Sequence, residues 1–189
     1  MNNITQPHVF FTLILAATTY VTTPSQAKLD PQAKAHLEQF EVLRGVCAVL
    51  GLPRDKKPSY VLDIARGSEL TIYFQSPDNS VLTSLREAAD KADLLGRRIF
   101  VEKGDWKKIH LASNLADALV VAPSASKAIN KKELMRVLRP GGIALLGKER
   151  ITKPPNTETD SWSHPYHGPD NNPQSTDKVA RAPYLTQFV

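Results

Sequence analysis

Five short apolar runs, spaced by helical patterns and turns, constrain this 189-residue chain more than any other feature. They are VCAVL (46–50), LTIYF (70–74), RIFVE (98–102), ADALVVA (116–122) and IALL (143–146). Each is rich in branched or aromatic side chains, and each is too short for an apolar helix. They lack the in–out alternation of a sheet with one wet face. Such runs read as strands covered on both faces of a parallel sheet. Strands alternating with helices then predict an α/β class: a Rossmann-like parallel sheet with helices on both faces, followed by an irregular C-terminal tail.

The helical patterns carry their own punctuation. Residues 32–44 put Ala33, Leu37 and Phe40 on one stripe, which Val42 and Leu43 could extend before Gly45 ends it. PSYVLDIA (58–65) has Pro58 in its first turn and Gly67 beyond its end. Asp78 or Asn79 caps SVLTSLREAADKADLL, and Gly96 terminates it. A helix over 129–138 stops before Pro140, and a Gly141-Gly142 turn leads into the fifth strand. The segment 105–114 stays open: Ile109 and Leu111 either extend a short element or pin a loop.

The ends differ from the middle. The first 27 residues hold no Asp, Glu, Lys or Arg, and their apolar run Val9–Val21 is short for a bilayer span. Pro24 breaks a helix there, and Ser25-Gln26-Ala27 supplies small residues for a peptidase. This pattern predicts a secretory signal peptide cut after Ala27, with no stable membrane span after cleavage and a periplasmic or extracellular location. An uncleaved anchor or a buried N-terminal helix would use the same residues. Beyond Lys153-Pro154-Pro155 the tail is polar yet aromatic, with Trp162, Tyr166, Tyr184 and Phe188, and it has no sustained period. A segment like this packs against a neighbour.

The formal charge is +5, and the basic excess falls in scattered pairs such as Arg97-Arg98 and Lys131-Lys132, with acids between them. A solvated surface accounts for that, and no nucleic-acid partner is expected. Cys47 is the single cysteine, so it has no internal disulfide partner. His164 and His167, with Asp160 and Asp170, are metal-capable groups without the fixed spacing of a zinc site, so no metal is expected.

Open α/β sheets take ligands beyond the carboxyl ends of their strands. Those positions are Gly51-Leu52-Pro53, Gln75-Ser76-Pro77-Asp78, Gly104-Asp105-Trp106 and Ala122-Pro123-Ser124. A nucleotide-like ligand needs a glycine after the first strand for close backbone approach, and Gly51 supplies it. It needs an acceptor after the second strand for ribose hydroxyls, where Gln75 stands. Asp105 and Trp106 could hold an adenine amino group and stack its ring, or serve as a loop cap and a packed aromatic.

The core over residues 45–147 resembles the class I S-adenosylmethionine-dependent methyltransferases. LMRVLRPGGIALL is similar to a helix, Pro-Gly-Gly turn and strand late in that family, and Val49-Leu50-Gly51 looks like the start of its glycine-rich loop. The resemblance implies S-adenosylmethionine as cofactor, with Gln75 at the ribose-binding acid and Asp105 at the adenine-contacting acid. Pro53 stands where the family has glycine, Gln75 replaces its acid, and no antiparallel hairpin is expected before the tail. WSHPYHGPDNNPQSTDKVARAPYLTQF is similar to the segment leading from a methyltransferase-like domain into a pyrroloquinoline-quinone-type β-propeller in exported bacterial proteins. The implied organisation is a signal peptide (1–27), a methyltransferase-like domain (28–150), and a linker with the start of a truncated propeller region (151–189). The implied function is a degenerate, non-catalytic module whose partner is that propeller or another exported protein. The alternative is an active methyltransferase.

Overall fold

The computed structural model describes residues 29–53, 57–160, 164–165, 167–169 and 175–179. The expected signal peptide lies outside the described residues, as do Trp162, Tyr166, Asp170, Tyr184 and Phe188.

All five expected strands form: β1 (Arg44–Leu50), β2 (Glu69–Ser76), β3 (Ile99–Lys103), β4 (Ala116–Val121) and β5 (Leu138–Leu146). A sixth, β6 (Glu149–Thr152), was not anticipated. The sheet order is β3-β2-β1-β4-β5-β6, parallel throughout except for the antiparallel β5–β6 pair. Contrary to the sequence expectation, a hairpin therefore does precede the tail. Its tight turn uses Gly147 at φ 60°, a left-handed conformation that glycine adopts without strain.

The helices are α1 (Pro31–Gln39), α2 (Ser59–Arg66), α3 (Asn79–Lys91), the short α4 (Pro123–Ser126) and α5 (Lys131–Val137). Asp78 caps α3 by accepting from the Ser80 amide at 2.9 Å. The first helix stops at Gln39, short of its expected stripe, because Glu41 turns the chain at φ 55° and Leu43 is left exposed. The Pro-Gly-Gly segment also differs from expectation. Leu138 is already in the strand, and Pro140-Gly141-Gly142 runs on within it, the Gly141 amide donating to the Lys153 carbonyl at 2.8 Å. A register shift between Ala116 and Ala118 absorbs the irregularity.

Strand alternation sorts the core into two layers. Cys47, Val49, Ile72, Phe74, Ala118 and Val120 face α1, α2 and α3. Ala48, Leu50, Tyr73, Leu119, Val121 and Ala144 face α4, α5 and the β3–β4 connection. Fully burying one Leu, Ile or Phe contributes roughly 1.5–3 kcal/mol, so these two layers dominate stability. At the amino ends of the strands, Asp117 ties the sheet together. Its carboxylate accepts from the Val46 amide at 2.8 Å and from Arg139 Nε. Only glycine fits opposite, since a Cβ on Gly45 would lie 2.0 Å from Asp117 Oδ2.

Candidate functional site

With β1 and β4 adjacent and their crossovers leaving in opposite directions, the topological switch point lies between Leu50 and Val121. Gly51 sits at its mouth at φ 76°, its amide donating to the Gln75 carbonyl at 3.1 Å. A Cβ there would be 3.0 Å from Ser124 Oγ, 3.3 Å from Ala122 Cβ and 3.7 Å from Trp106 Cζ2. The structure thus brings Gly51 and Trp106, from two loops, together with Ser124 on α4.

Gln75 is fully buried at the end of β2, and its amide is engaged on every side. Nε2 donates to the Asp105 carbonyl and, at 2.8 Å, to the Lys108 carbonyl. Oε1 accepts from the Tyr73 hydroxyl at 3.2 Å and the His110 amide at 3.1 Å. An amide side chain offers two donors and two lone pairs, so no capacity remains for a ligand. What Gln75 does is hold down residues 105–110.

Residues 104–115 form a loop rather than a helix, and Ile109 pins it with no exposed surface. From the other side, Glu133 accepts from the Ile109 amide at 2.9 Å, while Arg136 donates to the Ile109 and Leu111 carbonyls, both at 2.9 Å. Arg136 also holds the Glu133 carboxyl below its ordinary range, chiefly through a side-chain hydrogen bond. Asp105 is exposed, and its Oδ1 caps its own loop by accepting from the Lys107 and Lys108 amides at 2.9 and 3.2 Å. Trp106 packs half-buried against the second layer, and its Nε1 is sealed from solvent without a hydrogen-bond partner among the described residues.

Two chemically able side chains at this mouth escaped the sequence reading. His36 on α1 and Tyr60 on α2 are hydrogen-bonded, Nδ1 to Oη, at 2.5 Å. Both line a cavity of ≈ 40 Å³ with Gly51, Pro53 and Ala122. The signal was available: His36 stands three residues after Ala33 and four before Phe40, on the buried stripe. Burial lowers the His36 pKa, and Asp30 partly offsets this.

No group of three or more His, Cys, Asp or Glu able to hold a metal occurs among the described residues. Among them, too, no helix is long and apolar enough to cross a membrane.

No protein-family model and no curated protein matches the chain. Solved structures do. A candidate S-adenosyl-L-methionine-dependent methyltransferase from Methanococcus maripaludis superposes with a TM-score of 0.52 at 22% identity, over 60% of this chain and 52% of that one. A geranyl diphosphate methyltransferase in complex with S-adenosylmethionine gives 0.52 at 12% identity, over 60% and 46%. The 4+2 cyclase SpnF gives 0.50 at 18% identity, over 60% and 42%. The chain spans about half the length of these structures. Their different activities show that the shared architecture does not decide the chemistry.

One of these similar structures holds S-adenosylmethionine, so the same cofactor is compatible with this fold. The described residues suit it poorly. Gln75 has no hydrogen-bonding group left for a ribose. What the geometry establishes is a mostly parallel α/β sheet flanked by helices, a Rossmann fold of the S-adenosylmethionine-methyltransferase-like kind.

Proposed function

We propose that this chain is a methyltransferase-like domain that does not catalyse methyl transfer and works as a module of an exported protein. The observation that carries this reading is the saturated amide of Gln75. A residue at the ribose position has become a clamp for residues 105–110. Buried Pro53 supports the same reading, because it removes an N–H from the loop beyond Gly51. Export is supported by the uncharged leader ending in Ser25-Gln26-Ala27, and a propeller-type partner by the sequence of the tail. S-adenosylmethionine is chiefly an intracellular cofactor, which suits a domain that has lost its use.

Isothermal titration of the purified chain with S-adenosylmethionine tests the reading. No heat of binding is expected up to millimolar ligand. A micromolar dissociation constant would favour the alternative, an active methyltransferase. That alternative draws its support from Gly51, which stands in a left-handed conformation without a Cβ at the mouth of the crevice.

A further inference from the structure

We propose that the free edge of β6 is a self-association surface, on which a second copy of this chain lays its own β6 antiparallel across a two-fold axis. This goes beyond the reading above and does not rest on it.

The two edges of the sheet are built differently. On β3, the Arg98 carbonyl accepts from the Ile72 amide and the Gly104 amide donates to the Ser76 carbonyl. The backbone of the even-numbered residues therefore faces β2, and Ile99 and Val101 turn theirs outward. The chain itself covers them. The Ile99 amide donates to the Leu94 carbonyl, and the Ile99 carbonyl accepts from the Gly96 amide, both at 2.9 Å. Arg86 Nη2 donates to the Val101 carbonyl at 2.7 Å. Contacts of this kind close an edge to an incoming strand.

On β6 no such cover exists among the described residues. The Lys153 amide donates to the Gly142 carbonyl at 2.9 Å, and Glu149 and Ile151 share its parity opposite Leu146 and Ala144. Arg150 and Thr152 thus point N–H and C=O away from β5. Both residues are exposed, and neither outward backbone group has a partner among the described residues. Such an edge is a template for pairing.

Charge and proline select the register. Arg150 opposite its own copy would set like charges face to face. Thr152 opposite its own copy would bring Arg150 against Pro154, which has no N–H. With Arg150 opposite Thr152 of the second copy, each chain donates from both amides and accepts at both carbonyls, and Ile151 lies on the axis. The same register sets Glu149 opposite Lys153, which are unlike charges. The Lys153 ammonium rests on the Leu138 carbonyl at 2.8 Å and Glu149 lies 3.7 Å from Lys131, so the gain is complementary charge rather than a new bond. An edge that complements itself under a two-fold closes on itself and stops at a dimer. A strand of 4 residues makes a small contact, so this dimer is weak and reversible.

Analytical ultracentrifugation of the full chain from about 10 µM to about 1 mM should show a reversible monomer–dimer equilibrium. Amide hydrogen exchange over the same range locates the contact: Arg150 and Thr152 should gain protection as the dimer forms, while Val101 on β3 does not change. Thr152→Pro removes an outward donor and leaves the β5 ladder intact. It should weaken the dimer at least roughly tenfold, because one ladder bond is lost from each chain. A monomer at every concentration would overturn the proposal. So would an unaltered dimer in a folded Thr152→Pro, or a dimer in which the Arg150 and Thr152 amides exchange freely. Protection of those amides already in the monomer would overturn it too, since the chain itself would then cover the edge.

Discussion

Gly104 lies directly against the amide of Gln75: a Cβ at position 104 would come within 2.7 Å of Gln75 Nε2 and of His110 Cε1. The missing side chain lets the loop settle onto the buried amide, which in turn fixes the loop that carries Trp106.

Gln75→Glu restores the acid expected at a ribose site, yet it should damage the fold rather than create a binding site. The carboxylate would face the Asp105 and Lys108 carbonyls, which lose their donor. Each orphaned buried group costs about 1–3 kcal/mol, so a loss of roughly 2–5 kcal/mol is expected. Urea midpoints measure it, and an unchanged midpoint would show that the clamp carries no load.

Asp117→Asn should loosen the amino ends of β1 and β5. The charge that meets Arg139 disappears, while the hydrogen bond to the Val46 amide is retained in one amide orientation. The ion pair is partly exposed, so about 1 kcal/mol is expected after screening. Thermal unfolding at low and high salt checks this: the difference from wild type should shrink as salt rises.

His36 sets a pH window for stability. Its folded pKa lies below the ordinary 6.5, first because of burial, so the unfolded chain binds the proton more readily. This contribution is complete above about pH 6.5 and is lost as pH falls from there toward the folded value. Glu133 acts lower. Its depressed carboxyl contributes stability above its ordinary 4.5, lost as pH falls toward its folded value. In His36→Gln the upper slope should vanish while the lower one remains, as read from urea midpoints between about pH 2.5 and 7.5.

Cys47 should be chemically silent in the native protein. It is fully buried on β1, and desolvation, with Asp117 adding to it, pushes its thiol up to about 12. A disulfide reagent at about pH 8 should find no thiolate until denaturant is added, and then one thiol per chain. Rapid reaction of the folded protein would mean that β1 opens locally.

The strands were legible because burial on both faces leaves a continuous apolar run, as in VCAVL and ADALVVA. Asp78, too, was readable as a cap, since its side chain acts on an amide two residues away. The β5–β6 hairpin was hidden because Glu149–Thr152 is short and mostly exposed, with Ile151 its single buried residue. The site was harder to read. Gly51 could be placed at the mouth from its position after the first strand, and its left-handed φ matches the reason for choosing it.

Alone, the order of residues determined the alternation of strand and helix, and with it an α/β sheet whose carboxyl ends gather Gly51, Gln75, Asp105 and Ala122. Tertiary structure decided what those residues do. Gln75 became a clamp because its partners lie 30 to 35 positions along the chain. His36 met Tyr60 only because α1 docks on α2 across 24 positions. Local propensity follows from neighbours in sequence, whereas hydrogen-bond saturation and cavity shape depend on groups that only the folded chain brings together.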